Sequence, residues 1–135
     1  TFLPELISRA KKDTDIVVVD FHAVTTAEKY SMMHMVDGEV SALVGTGQRA
    51  QTADAVVQHD GTATICDAGR TGSLDSVSGL DPAVEIQQYL TRIPERSSEA
   101  WGRRELQGVV MEIEDGGRAV SIEALRIPCE GGPND

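Results

Sequence analysis

The stretch from Ile16 to Asp54 constrains the fold more than any other part of the chain. It reads IVVVDFHAVTTAEKYSMMHMVDGEVSALVGTGQRAQTAD. The consecutive β-branched residues Ile16-Val17-Val18-Val19 predict a strand covered on both faces. Thr25 or Thr26 caps a helix running to about Val36, and Asp37-Gly38 ends it. Val40 to Val44 predicts a second strand, closed by Gly45-Thr46-Gly47. Strand, helix and strand with short turns predict parallel pairing through a right-handed crossover. In an open α/β sheet, ligands sit beyond the carboxyl ends of such strands. Chemistry is therefore expected at Asp20-Phe21-His22 and at Gly45-Thr46-Gly47-Gln48-Arg49.

Asp20 and His22 are two apart, so an extended backbone turns both to one side. Two readings stand: a metal ligand with an acidic neighbour, or a histidine bonded to Asp20 that orients a loop. On the helix, Met32, Met33, Met35 and Val36 predict a buried face, and His34 a surface position. The Gly45-x-Gly47 pair lacks the helical stripe that a dinucleotide-binding turn requires.

Thr1 to Lys12 predicts an opening helix, capped at Thr1, with Leu3, Leu6, Ile7 and Ala10 as its stripe. Ala55 to Gln58 and Thr62 to Cys66 predict a hairpin turned by His59-Asp60-Gly61. Asp67 to Ser73 is a glycine-rich loop containing Arg70. Asp81 caps a helix within Leu80 to Arg92, with Val84, Ile86, Tyr89 and Leu90 on its apolar side. Leu106 to Glu114 and Ala119 to Ile127 predict a second hairpin about Asp115-Gly116-Gly117. One domain is expected over residues 1–128, with residues 129–135 as a frayed tail.

The formal net charge of −10 disfavours nucleic-acid polymers and anionic membranes as partners, because both need a basic footprint. Cys66 and Cys129 stand far apart and outside any CxxC, which predicts reduced thiols in a cytoplasmic protein. No run approaches the ~18 apolar residues of a membrane span. No basic segment with an apolar core opens the chain, and it begins at Thr1 and not Met, which admits a processed or partial chain.

Val19-Asp20-Phe21-His22-Ala23, Glu28-Lys29, Asp37-Gly38, Val40-Ser41-Ala42, Val44-Gly45-Thr46 and Gln51-Thr52-Ala53-Asp54 form an ordered set of motifs. Asp67, Gly69, Thr71-Gly72, Asp75-Ser76-Val77, Gly79 and Tyr89-Leu90-Thr91-Arg92-Ile93-Pro94 continue it. Together they resemble the calcineurin-like metallophosphoesterases, in the bacterial branch linked to 2′,3′-cyclic-nucleotide phosphodiesterase activity. The resemblance runs from about Leu6 to Leu125. It implies an α/β fold: the C-terminal half of an α/β/β/α metallophosphoesterase-like sandwich, with a mixed sheet and a C-terminal hairpin.

Such proteins use two divalent metals, such as manganese or iron, and their C-terminal half supplies three histidines. One matches His22. The other two belong to a Gly-Thr-His-x-His motif, where this chain has Gly47 and Arg49. Glycine offers no side-chain ligand, and arginine stays protonated. At about 4 Å and an effective dielectric of about 20, two like unit charges cost about 4 kcal/mol, and a divalent ion doubles that. The expectation is therefore a non-catalytic module without a cofactor, acting through a homo-oligomer or a second chain that covers the missing half. A metal-dependent phosphodiesterase or phosphatase remains an alternative. So does a phosphate or nucleotide sensor using Arg49 and Arg70. In the non-catalytic reading Arg49 instead stands in for the lost ion as a fixed charge, paired within the fold to Asp20 or Asp67.

Overall fold

The structure, a computed structural model, describes residues 2–129. The expected cap at Thr1 and residues 130–135 of the expected tail lie outside the described residues, whereas Cys129 ends a strand and is not frayed. The elements run α1 (Phe2–Ala10), β1 (Val18–His22), α2 (Thr26–Val36), β2 (Ala42–Thr46), β3 (Val56–Val57), β4 (Ala63–Ile65), β5 (Gly72–Ser73), α3 (Pro82–Thr91), β6 (Arg104–Ile113) and β7 (Ala119–Cys129). They form two compact units, Thr1–Gly69 with Gly108–Leu125, and Arg70–Gln107 with Arg126–Asp135.

In the first unit a four-stranded sheet has the order β1-β2-β4-β3. β1 and β4 flank β2 in parallel, and β3 returns antiparallel beside β4. The sheet is thus mixed, as expected. Neighbouring residues of β2 point to opposite faces. Leu43 joins Ile7, Met33, Val36, Val40 and Cys66 in a core under the helices. Ala42 turns the other way and packs with Ala63, Ala119, Met111 and Ile122 against the β6–β7 hairpin. Burying a side chain the size of Leu43 contributes roughly 1.5–3 kcal/mol. Gln51 ties the hairpin down further, donating its Nε2 protons to the carbonyls of Gly108 at 2.8 Å and Leu125 at 3.1 Å.

Gly45 ends β2 where the chain passes close to β4. A Cβ there would lie 2.0 Å from the Cys66 carbonyl oxygen, so only glycine fits. The Gly45 carbonyl accepts the Ala68 N–H at 2.9 Å, which links the two strand ends.

Several expectations are corrected. β1 begins at Val18, and Ile16 lies outside it. It is an edge strand with Val18 52% exposed, not a strand covered on both faces. β2 spans Ala42–Thr46, two residues later than Val40 to Val44, because its register with β1 pairs Val18 with Ala42. On α2, Met33 and Val36 are buried, but Met35 is exposed. The helix turns Lys29 inward instead, for the reason given below. On α1 only Ile7 is buried, and Leu6 is exposed.

In the second unit, α3 is capped as expected: the Asp81 carboxylate accepts the Ala83 N–H at 2.8 Å. Arg92, at φ +60°, closes the helix in the left-handed conformation. No α3 residue is buried, so Ile86, Tyr89 and Leu90 do not form an interior stripe. β5 pairs antiparallel with the start of β6 through Gly72 opposite Glu105. The loop before α3 is pinned by Arg103, whose Nη2 meets Asp75 Oδ1 at 2.7 Å. This pair is exposed, so it orders the loop more than it stabilises the fold.

Candidate functional site

Both expected clusters come together at the carboxyl ends of β1 and β2. The parallel register sets His22 beside Thr46. Thr46 donates its hydroxyl proton to Asp20 Oδ1 at 3.0 Å, and its Oγ1 lies 3.1 Å from His22 Nδ1. A hydroxyl has one proton to give. Since that proton goes to the carboxylate, His22 Nδ1 must be the donor to Thr46. In the neutral imidazole this is the tautomer with its lone pair on Nε2, as needed to accept a proton or hold a cation. Asp20 and His22 do share one side of β1, joined through Thr46.

His22 Nε2 faces Gly47. Gly47 sits at φ +112°, and a Cβ on it would lie 2.7 Å from the Ala23 carbonyl oxygen and 3.3 Å from His22 Nε2. Arg49, two residues on, has φ +58° and is exposed. The loop thus carries positive φ at both positions where the family resemblance led to an expectation of histidines.

Asp67, from the loop after β4, is fully buried. Its Oδ2 accepts the Lys29 ammonium at 2.9 Å and the Gln48 N–H at 2.7 Å, and its Oδ1 accepts the Gly69 N–H at 2.9 Å. Lys29 is fully buried as well. This ion pair is the charge balance at the heart of the site. Composition and spacing did not single out Lys29. Its signal was there in the helical period, because Lys29, Met33 and Val36 fall at i, i+4 and i+7 on the buried face of α2.

A second hub lies nearby in sequence. Tyr30 donates its hydroxyl to Asp54 Oδ2 at 2.6 Å, and the Cys66 N–H reaches Asp54 Oδ1 at 3.2 Å. The bond to Asp54 pushes the Tyr30 hydroxyl up to about 12. Partial burial acts to raise the Asp54 carboxyl, but bonds from Thr52, Tyr30 and the Cys66 N–H outweigh it and hold it low. Burial, with Asp54 beside it, pushes the Cys66 thiol up.

Arg70 belongs to the second unit. Its Nη2 donates to the Ser73 carbonyl at 2.6 Å and to Ser76 Oγ at 3.1 Å, and its backbone N–H meets Gln107 Oε1 at 3.1 Å. Its guanidinium organises the glycine-rich loop. Further along that unit, the Glu105 carboxyl is lowered from its ordinary value by Arg126, with Gln107 adding to the effect.

A dinuclear metal centre needs several converging imidazoles and carboxylates. Among the described residues no three His, Cys, Asp or Glu side chains converge on one ion position. His22 offers one lone pair, Asp67 is committed to Lys29, and Gly47 and Arg49 offer no donor atom. The residues present do not fit that centre. No helix among the described residues is long and apolar enough to cross a membrane.

The family described as YmdB-like protein matches residues 1–125. The 2′,3′-cyclic-nucleotide 2′-phosphodiesterase of Bacillus subtilis (strain 168) is 41% identical across 94% of this chain and 52% of its own length. A crystal structure of a phosphatase from Mycoplasma pneumoniae superposes with a TM-score of 0.87 at 34% identity, covering 93% of this chain and 45% of that one. A hypothetical protein from Thermus thermophilus gives a TM-score of 0.83 at 29% identity, covering 92% and 50%. The chain spans about half the length of the curated relatives it matches. Its mixed sheet, C-terminal hairpin and matched sequence agree: the chain belongs to the YmdB-like family of metallophosphoesterase-type proteins.

Proposed function

We propose that this chain is a metallophosphoesterase-type half that does not hydrolyse phosphoesters by itself and acts through assembly with another polypeptide. One observation carries the reading: where the family motif places two histidines, the loop after β2 has Gly47 at φ +112° and Arg49 at φ +58°. A complementing chain can add ligands, but it cannot restore these two. The edge strand β1 and the uncovered residues Ile86, Tyr89 and Leu90 of α3 support a partner, as a second copy or as the half that the relatives carry. Arg49 acts here as a fixed charge.

A second reading is favoured by the relatives. Proteins named as a 2′,3′-cyclic-nucleotide phosphodiesterase and a phosphatase match nearly the whole chain. Under it the chain belongs to a metal-dependent phosphodiesterase, with His22 Nε2 as its remaining ligand. Manganese-dependent hydrolysis of a 2′,3′-cyclic nucleotide separates the two. The purified chain should show no turnover above its His22→Ala variant. Turnover that His22→Ala abolishes would overturn the first reading in favour of the second.

A further inference from the structure

The apolar side of α3 faces water. Ile86, Tyr89 and Leu90 fall at i, i+3 and i+4, the spacing of one helical face, and all three are exposed, Tyr89 and Leu90 at 71%. Ile93, just past the cap, is exposed as well. Single apolar residues on a surface are ordinary, but a contiguous stripe marks a docking surface. Beside it, Val77, Glu85, Ile86, Gln88 and Tyr89 line a hollow of about 460 Å³ that can take an inserted side chain.

The charges say which partner fits. From Pro82 to Arg92 the charged residues are Glu85, in the first turn, and Arg92, at the cap. This face therefore has no net sign, although the chain carries −10. Glu85 lines the hollow, held by a 3.3 Å bond from Gln88 Nε2, and Arg92 lies over the Tyr89 ring at 5.0 Å. Both charges thus flank the stripe. Among the described residues neither joins an ion pair within the chain. A strongly acidic or basic partner gains nothing here.

A second copy does. A twofold axis near Tyr89, midway between the two charges, runs a second α3 antiparallel to the first. It sets Glu85 of each copy against Arg92 of the other and Ile86 against Leu90, with the two Tyr89 rings at the centre. The helix dipoles then oppose each other, which is also favourable. β1, the other uncovered element, does not match itself in this way. Asp20 is the middle residue of Val18–His22, and a twofold pairing of two such strands sets carboxylate against carboxylate.

We propose that the α3 face docks a second copy of this chain through an antiparallel α3–α3 contact. The proposal rests on the assembly with another polypeptide put forward above, and it names the face and the occupant.

Sedimentation velocity over a range of protein concentrations reads the mass of the purified chain and should show a concentration-dependent dimer. Leu90→Asp changes an exposed side chain, so circular dichroism should be unaltered while the dimer dissociation constant rises about tenfold or more. Glu85→Arg and Arg92→Glu should each weaken the dimer, because each brings like charges together at both ends of the contact. Glu85→Arg with Arg92→Glu in one chain exchanges the signs and should restore it, which a contact between two different surfaces would not do. A chain that stays monomeric overturns the proposal and leaves assembly with a different polypeptide standing. A dimer unaffected by Leu90→Asp, or one that the double exchange does not restore, overturns the α3 contact and leaves self-assembly through another face. Hydrolysis of cyclic nucleotide, measured separately, is what would overturn the preceding reading itself.

Discussion

His22 Nε2 looks onto the bare Cα of Gly47: a Cβ at Gly47 would lie 3.3 Å from that nitrogen and 2.7 Å from the Ala23 carbonyl oxygen. The space that a second imidazole would need is closed by main chain. A neighbouring side chain can rotate away, but a carbonyl held in the strand-end turn cannot. The Ala23 N–H is itself bonded to the Thr46 carbonyl at 3.2 Å, which fixes that turn from both sides.

Returning the two family histidines should therefore not return the metal. In the Gly47→His/Arg49→His double variant, manganese uptake is expected to stay far below one ion per chain. Stability should fall by about 1–3 kcal/mol from the positive-φ strain at position 47. Elemental analysis after dialysis and a denaturant titration read the two effects. Stoichiometric uptake with unchanged stability would show that the loop moves freely between two conformations.

The Lys29–Asp67 pair makes a second prediction. Both groups are fully buried, and their attraction is tied to the Gln48 N–H. Lys29→Met leaves a buried carboxylate uncompensated and should cost about 3–5 kcal/mol. Adding Asp67→Asn to that variant should recover part of the loss, since the amide is neutral and its oxygen still accepts a backbone N–H. A double-mutant cycle by denaturant titration measures this, and strict additivity would rule out the coupling.

Acid should destabilise the fold through a small set of carboxylates. Asp54 is held low despite its partial burial, by the bonds from Thr52, Tyr30 and the Cys66 N–H. Glu105 is held low first by Arg126, and Asp75 first by Arg103. A carboxyl lowered in the folded state binds its proton more tightly when unfolded. These groups thus contribute stability that is fully present above the ordinary carboxylate values of about 4 and lost as pH falls through their lower folded values. A melting profile against pH should fall on the acid side, and Asp54→Asn should flatten that fall.

Base acts through Tyr30. Its hydroxyl is raised to about 12 by the bond it donates to Asp54. A raised value means that the folded state keeps the proton longer, so this contribution is complete below the ordinary tyrosine value of about 10 and is lost as pH climbs toward the folded value. Tyr30→Phe should remove the part of the alkaline destabilisation that lies in this window. The tyrosinate absorbance of the native protein should show one of its two tyrosines titrating late. Two tyrosines titrating together near the ordinary value would exclude the bond.

Local chemistry made much of this protein legible in its sequence. The cap at Asp81, the His59-Asp60-Gly61 turn and the Asp20-x-His22 spacing each depend on a few adjacent residues, and each is found in place. That Gly47 and Arg49 stand where histidines were expected followed from the family resemblance and not from local chemistry. Only the tertiary structure decided what depends on the packing of distant segments. Register placed Thr46 between Asp20 and His22, and so made His22 Nδ1 the donor to Thr46. The approach of α2 to the loop after β4 buried Lys29 against Asp67, across 38 positions of sequence. β1 carries the residues of an interior strand yet lies at a sheet edge, and α3 has an apolar side that nothing among the described residues buries. A side-chain pattern records which faces can be buried, whereas the neighbour that buries them is set by long-range packing.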